Sequence, residues 1–512
     1  MNDHPHHPPL PRLIHNSDGD STTLMTYSPP ITPAECCRDI DEIAGTAVEV
    51  FTNSLGRGDD TFSHRTNFGD VYGEGITEWP KDDRLKYVEG MALNTRALLD
   101  AGIDINELLA EHAHAHGMQF WPALRMNDIH EDDGSRWDAF RSNFKRQHPE
   151  LLIGSPYPKR GGGYPAEDFT WAFDYAHQAV RDRKAGLVLE TCERYNIDGF
   201  ELDFQRGPWF FKDGHESDGA PLLTDMLRQI RQGTRRIAEQ KGKPFTLMVR
   251  VPPTVQMCLA IGLDVPTWIK EELADLIVLM HGGYLDMSAD VRGFVEMARG
   301  KQCGIGAGLE HIAKGYGHAG ADMLHAAALS YWQQGASALY LFNYDCHRQQ
   351  FGELPYSPEE VQVLHEIHDP SLIARRNKRY TVPLDMELRT PSAGGAFPLP
   401  VELSRSGDSE SFTIHVGDDV ESARRDDAID RMWLRITCAG RQADAPPINV
   451  SLNRQSLGAD PMHRGPSCAT IAYPNVPVAM HDNQITITLT QTPTQPLRIE
   501  GIELMITYRP RT

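Results

Sequence analysis

A short apolar segment, residues 197–204, carries acidic side chains where a buried strand would otherwise be wholly hydrophobic. Side chains alternate along a strand, so Glu201, Asp203 and the following Gln205 share one face. Burying a carboxylate costs free energy unless the group is paired or takes part in chemistry. A Gly-Pro break follows, and we therefore predict that this face forms the rim of a catalytic site. A salt-bridged interior is the alternative.

Hydrolysis of a glycosidic bond needs two carboxyl groups that flank the bond, one protonated and one charged. Asp203 is the last carboxylate on its strand, and Glu310 follows the seventh predicted strand. We predict that these two react and that Glu201, one layer deeper, tunes Asp203. For Glu310 the alternative is an exposed position in the first turn of a helix, which Glu favours. Asp286, after the sixth predicted strand, is the reserve acid.

Further polar and aromatic residues fall at the predicted strand ends, where charge, hydrogen bonds and ring stacking hold substrates. Arg250 is expected to pair with Asp203 or Glu201, and core packing is the alternative for the aromatic residues. The predicted substrate-binding residues are Asp18, Arg125, Asn127, Arg206, Trp209, Arg250, His281, Tyr284, Tyr344 and Asp345.

One short segment contains three histidines, of which His112 and His116 share a helical face. A protein zinc site uses at least three side-chain ligands, and the sequence offers no obvious third one. We therefore predict neither a metal nor another cofactor. The acidic run that begins at Asp128 is interpreted as a solvated loop rather than a calcium site.

Eight short apolar segments between Arg12 and Pro370 alternate with segments of helical periodicity. This rhythm predicts a (β/α)8 barrel, in which the loops after the strands build the active site. Thr32, Pro33 and Glu35 form a capping-box pattern that predicts a helix start after the first strand. A doubly wound open sheet, the alternative, would show a Gly-rich phosphate loop after that strand, and none is present.

The predicted loops after the second, third and fourth strands are long, at about residues 53–82, 126–168 and 205–221. Long loops inside a compact domain are usually functional. They therefore support an active site at this end of the barrel.

After about Pro370, short alternating segments replace the β/α rhythm, which predicts an antiparallel β-sandwich. A chain of 512 residues is too long for one compact core. The predicted organisation is a disordered leader over residues 1–11, a catalytic barrel over 12–370 and a β-sandwich over 371–512.

The formal net charge of −21 argues against nucleic acid and against anionic membrane surfaces as partners. The eight cysteines show no C-x-x-C spacing, and several lie in apolar runs typical of buried free thiols in a reducing compartment. The sequence shows neither a signal peptide nor a membrane span. We expect a cytoplasmic protein, or a periplasmic one if an export signal was removed, and a homo-oligomer remains allowed.

Residues 198–208 match the fourth-strand pattern D-G-x-x-x-D-x-x-R-x-P and resemble the glycosyl hydrolase-like family 10 proteins and related barrels. The segment 12–20 is similar to the start of uncharacterised bacterial proteins with this organisation. The fourth strand is also similar to the chitinase motif D-x-x-D-x-D-x-E. In that comparison Glu201 replaces the second Asp, and Gln205 replaces the final Glu.

A clan of retaining glycosidases pairs an acid/base on the fourth strand with a Glu nucleophile on the seventh. Carried over by position, this resemblance implies Asp203 or Glu201 as the acid/base and Glu310 as the nucleophile. We therefore predict a retaining glycoside hydrolase that cleaves an oligo- or polysaccharide in carbohydrate metabolism.

Two alternatives remain open at this point. A barrel that binds carbohydrate without cleaving it is favoured by Gln205 at the position of the chitinase acid. A metal-dependent hydrolase or lyase would instead draw on Asp18, Asp203, His281 and Asp345.

Overall fold

A closed barrel of eight parallel strands forms the larger part of the computed structural model. Its strands are β1 (Leu13–Ser17), β2 (Val50–Ser54), β3 (Gln119–Arg125), β4 (Gly199–Asp203), β5 (Thr246–Val251), β6 (Leu276–Leu279), β7 (Gly304–Leu309) and β8 (Ala338–Leu341). Strands β8 and β1 pair in parallel, which closes the barrel. Closure of the barrel confirms the predicted (β/α)8 fold. The antiparallel sheets described below confirm the predicted β-sandwich that follows it.

The structure describes sixteen stretches of the chain. They are residues 9–58, 60–79, 81–82, 86–130, 139–155, 168–207, 209–281, 284–310, 312–313, 315–342, 344, 356–384, 398–439, 446–458, 463–464 and 468–510. Asp345 and most of the predicted leader lie outside these stretches.

Helices lie between the strands, as the helical periodicity predicted. Their bounds are α1 (Pro33–Cys36), α2 (Arg38–Ile43), α3 (Lys86–Asp100), α4 (Ile105–Ala115), α5 (Asn143–Gln147), α6 (Gln178–Arg194), α7 (Glu216–Lys241), α8 (Val255–Ala260), α9 (Val265–Lys270), α10 (Val291–Met297), α11 (Ala321–Gln333), α12 (Pro358–Glu366), α13 (Pro370–Ile373) and α14 (Val420–Arg425). The capping box predicted at Thr32 is present and starts α1.

Short elements interrupt the loops that follow the barrel strands. They are a π-helical turn (Asp20–Leu24), two 3-10 turns (Pro149–Leu151 and Asp168–Trp171), and the strand pairs Thr61–Phe62 with Asp70–Val71 and Ile312–Ala313 with Gly317–His318. The loops after β2 and β3 therefore contain local structure of their own.

The barrel interior changes from apolar to polar along the strands. Its apolar cluster contains Ile14, Val50, Trp121, Met248, Leu276, Val278, Met280, Ala338, Tyr340 and Phe342. Alternate residues of a strand face the same side, so the next inward residue after Ile14 is Asn16, and the next after Met248 is Arg250. Polar side chains therefore fill the carboxyl end of the barrel, where barrel enzymes place their active sites.

Two antiparallel sheets form the carboxy-terminal part. Their strands are β9 (Lys378–Thr381), β10 (Val401–Leu403), β11 (Ser409–Val416), β12 (Ile429–Ala439), β13 (Ile448–Leu452), β14 (Gln455–Ser456), β15 (His463–Arg464), β16 (Cys468–Pro474), β17 (His481–Leu489) and β18 (Leu497–Tyr508). One sheet has the order β9-β18-β12-β16-β15, with β10 also on β18, and the other has the order β11-β17-β13-β14.

The loop after β7 joins the barrel to the carboxy-terminal sheet. The Tyr316 hydroxyl donates to the carbonyl of Val382 at 2.7 Å and accepts from the amide of Ile502 at 3.2 Å. Arg379 on β9 forms an ion pair with Asp322 on α11 at 3.2 Å.

Among the helices that the structure describes, none is long and apolar enough to cross a membrane.

Candidate active site

Glu201 lies deepest of the inward-facing acid groups and is 1% exposed. The Tyr340 hydroxyl on β8 donates to its Oε1 at 2.7 Å, and the Thr52 hydroxyl on β2 donates to its Oε2 at 3.1 Å. Asn16 on β1 donates in turn to Thr52 at 2.6 Å. Side chains from three other strands therefore fix the position of this carboxyl group.

Glu201 is also a carboxyl group suited to hold a proton near neutral pH. Burial raises its pKa to about 7, and the charge of Asp203 adds to the effect, while Arg250 opposes it. A pKa near the working pH is the condition for efficient proton transfer by a general acid or base. Two neighbouring carboxyl groups with different environments are the usual source of such a division of roles.

Asp203 is bound through both of its carboxylate oxygens. Arg250 Nη2 donates to Oδ2 at 2.6 Å, and the backbone amide of Gln205 donates to Oδ1 at 2.7 Å. The Arg250 guanidinium also lies over the Phe342 ring, 3.9 Å from its centroid. The expected ion pair is thus present, and it is buried, with side-chain exposures of 0% for Arg250 and 3% for Asp203.

Glu310 enters the barrel mouth from β7, which β5 and β6 separate from β4. A Cβ added to Gly308 would meet the side chain of Met280, which belongs to the apolar cluster inside the barrel. Gly308 and every second residue from it along β7 therefore face the interior. Glu310 follows Gly308 by two positions, faces the interior in the same way and is 0% exposed. The residue is therefore not an exposed position in a helix, and two strands separate its strand from that of Asp203.

Gln205 is the residue at this rim whose polar atoms are least satisfied. It is 0% exposed, and within the described residues neither its amide oxygen nor its amide nitrogen has a hydrogen-bond partner. Buried amides are nearly always hydrogen-bonded in folded proteins, and an exception calls for an explanation such as a ligand or a water molecule. Gln205 therefore marks a position where a polar ligand group would gain hydrogen bonds.

A second group of charges joins the loops after β1, β2 and β3. Arg57 donates to Asp18 at 2.6 Å, and Arg125 forms a further ion pair with Asp18. Arg125 also contacts Asp128 at 3.2 Å, and its strand places it in register with Asp203. Asp18 and Arg125 therefore lie at the mouth, but in a paired network.

Asp128 and His130 extend this network toward β4. Asp128 is 1% exposed, so the interpretation of this residue as part of a solvated loop is wrong. Burial alone would raise the pKa of Asp128, but its contacts with His130 and Arg125 hold it well below the usual range. Burial lowers the pKa of His130 to about 3, so its neutral ring accepts from Arg206 at 2.7 Å and contacts Asp128.

Other predicted substrate contacts have protein partners of their own. Asn127 bonds to the backbone of Phe173 and Trp209. His281 Nε2 lies 2.8 Å from Asp286 Oδ2. Burial alone would raise the pKa of Asp286, but its contacts with His281 and Ser288 lower this pKa below the usual value.

The predicted aromatic contacts differ in how accessible they are. Trp209 is buried, and Tyr344 is buried and stacks on Tyr356 with ring centroids 5.5 Å apart. Tyr284 is half-buried. Among these three, only Tyr284 offers a partly open ring face without a rearrangement.

Two partners of Glu201 were missed from the sequence. Tyr340 and Thr52 both lie inside strands, and each follows an inward apolar residue by two positions, Ala338 and Val50 respectively. This spacing could have predicted that Tyr340 and Thr52 face the barrel interior. Only the closed barrel shows that both hydroxyls reach the carboxylate of Glu201.

Two open clefts of the described surface are lined by residues other than these acid groups. One of about 510 Å³ is lined by the loop after β2 together with Arg141 and Arg146. Another of about 630 Å³ lies beside Tyr316 and is lined by Arg435 and Arg498 of the carboxy-terminal sheet. Glu201, Asp203 and Glu310 themselves are almost fully buried.

No family model and no curated protein matches this sequence. Solved structures do share similarity with it. The chain is 12% identical to the PgaB (BpsB) glycoside hydrolase domain from Bordetella bronchiseptica, with a TM-score of 0.43 over 70% of this chain and 99% of that one. It is 10% identical to a family GH18 chitinase from Chromobacterium violaceum, with a TM-score of 0.36 over 97% of this chain and 88% of that one.

An α-L-fucosidase isoenzyme 2 from Paenibacillus thiaminolyticus is 12% identical, with a TM-score of 0.39 over 70% of this chain. The chain spans 48% of that enzyme and 55% of a GH36 α-galactosidase from Geobacillus stearothermophilus, about half the length of each. With TM-scores below 0.5, these matches assign neither a family nor a substrate, and none singles out family 10.

Proposed function

We propose that this chain is a glycoside hydrolase that cleaves a glycosidic bond in an oligo- or polysaccharide at the barrel mouth. One observation carries the proposal. Three inward acid groups, two on β4 and one after β7, are buried together with polar partners at the carboxyl end of the barrel, and one of them has a pKa of about 7. Two carboxyl groups with different protonation states are what this reaction requires.

In this proposal Asp203 and Glu310 flank the sugar from different sides of the mouth. Arg250 supplies the countercharge for Asp203, and Glu201 holds a proton directly beneath it. The unpaired amide of Gln205 binds a sugar hydroxyl. We propose retention of configuration, for which a separation of about 5–5.5 Å between the reacting carboxyl groups is expected, against about 6.5–9.5 Å for inversion.

The test is a screen of chromogenic glycosides and polysaccharides with wild type, Asp203→Asn and Glu310→Gln. Hydrolysis by the wild type and its loss in both variants, by at least about 100-fold, supports the proposal. NMR of the first product formed reports retention or inversion.

A matched control separates chemistry from folding. Asp275 forms a buried ion pair with Arg231 at 2.6 Å, and it precedes β6 at the opposite end of the barrel. Asp275→Asn therefore removes the same kind of pair far from the mouth. Equal loss of activity in Asp203→Asn and Asp275→Asn contradicts a catalytic role for Asp203.

A barrel that binds carbohydrate without cleaving it is the second candidate. It is favoured by the closed Asp203–Arg250 pair and by an amide, not an acid, at position 205. Calorimetric binding of a glycan by wild type, with no released sugar after long incubation, selects this candidate over the hydrolase.

A further inference from the structure

We propose that His112, His116 and Asp41 form a binding site for a divalent transition metal, with zinc as the test ion, on the outer surface of the barrel. The inference is independent of the proposed hydrolase activity. Helix α4 carries His112 in its last turn and is followed at once by His116, while Asp41 lies on α2. The sequence supplied the two histidines, and the fold supplies the third ligand.

The three ligand atoms converge on one point. Asp41 Oδ1 lies 2.7 Å from His112 Nε2 and 3.6 Å from His116 Nε2, and the three ligand atoms all lie within 4.8 Å of one another. In a tetrahedral site with zinc–ligand distances of about 2.0–2.1 Å, neighbouring ligand atoms are about 3.3 Å apart. The distances between the ligand atoms therefore need to change by only about 0.3 to 1.5 Å to admit the ion.

The ligand types and their surroundings suit a metal ion. Imidazole nitrogen and carboxylate oxygen are ordinary zinc ligands, and three protein ligands leave one position for water. The side chains of Asp41, His112 and His116 are 52%, 30% and 37% exposed, so that position opens to solvent. The carboxyl end of α4 adds the negative end of a helix dipole, which favours a cation.

Within the described residues, this is the one group of three or more His, Cys, Asp or Glu residues with converging ligand atoms. The other surface histidine–carboxylate pairs lack the third partner. His148 with Glu150, at 2.9 Å, is an example and provides a matched control.

The test is calorimetric titration of the untagged full-length protein with zinc chloride after chelator treatment. We expect saturable binding at this site, with one equivalent lost in His112→Ala and in His116→Ala and affinity lowered at least about tenfold in Asp41→Asn. Zinc should raise the melting temperature of wild type by a few degrees, because it binds the folded state. His148→Ala should behave as wild type.

The variants also separate this site from the histidines near the amino terminus, His4, His6 and His7, whose binding would persist in all of them. The substituted side chains are partly exposed, and circular dichroism without zinc checks that each variant is folded. Equal zinc stoichiometry and affinity in wild type, His112→Ala and His116→Ala overturns the proposal, as does the absence of saturable binding by the wild type.

Discussion

At the scale of single residues, Glu201 links the stability of this protein to pH. Its pKa is raised from the usual 4.5 to about 7, first by burial and then by Asp203. The folded state therefore binds more protons than the unfolded state between these two values. The contribution of Glu201 to stability is fully present below pH 4.5 and is lost as the pH rises through about 7.

Glu201→Gln should remove this pH dependence. Relative to the variant, the free energy of unfolding of the wild type should fall by up to about 3 kcal/mol as the pH rises between the two pKa values. Denaturant unfolding at several pH values measures the difference. Parallel stability curves for wild type and variant across this range would show that Glu201 does not titrate as described.

Asp203 has a structural role in addition to its proposed chemistry. Asp203→Asn leaves the guanidinium of Arg250 buried without its closest carboxylate, which should lower the free energy of unfolding by about 3 kcal/mol. The double variant Asp203→Asn/Arg250→Met should recover part of that stability and none of the activity. A double variant no more stable than Asp203→Asn would show that the unpaired charge is not the cause.

At the scale of elements, β7 is shaped by glycines that let its neighbour β6 and the Met280 side chain approach closely. A Cβ on Gly308 would lie 2.5 Å from Met280 Cγ and 2.7 Å from Met280 Cβ. Met280 in turn contacts Arg250, its sulfur 3.7 Å from Nη1. The packing of β7 is therefore coupled to the ion pair of Asp203.

Gly308→Ala should overpack the mouth and destabilise the protein by about 1–3 kcal/mol. It should also lower any hydrolytic activity, because Met280 is displaced toward Arg250. Gly306→Ala is the matched control, since the nearest atoms to its new Cβ lie at 3.2 and 3.3 Å. Thermal unfolding and kcat measurements on both variants test this prediction. If Gly308→Ala and Gly306→Ala lower stability and kcat equally, the contact with Met280 is not the cause.

At the scale of the whole molecule, the barrel and the carboxy-terminal sheet share hydrogen bonds through Tyr316. Its hydroxyl serves two backbone groups, of Val382 and Ile502, that lie in or beside the sheet. Removing the Tyr316 hydroxyl takes one hydrogen bond each from the Val382 carbonyl and the Ile502 amide, in a partly buried position. The junction between the two parts is therefore polar and specific.

Tyr316→Phe should cost about 1–3 kcal/mol and should make unfolding of the two parts less cooperative. Scanning calorimetry measures this as a lower melting temperature and a broader or split transition. A single sharp transition at the wild-type temperature would contradict the role given to Tyr316.

Much of the architecture was determined by local sequence. The alternation of apolar and helical segments predicted the eight barrel strands, and the capping box at Thr32 predicted the start of α1. The start of α7 differed, because this helix begins at Glu216, before Pro221, where a loop had been predicted. Periodicity and capping depend on neighbours along the chain, and the sequence therefore contains them.

The sequence also placed Glu201, Asp203 and Gln205 on one inward face, because strand parity is local. It could not decide which partners meet them there. The Tyr340 and Thr52 contacts of Glu201 depend on closure of the barrel, and the burial of Asp203 against Arg250 depends on strand register. Asp41 on α2 contacts His112 on α4, although the two residues are 71 positions apart in the sequence. These contacts join residues that are distant in sequence, so only the tertiary structure decides them.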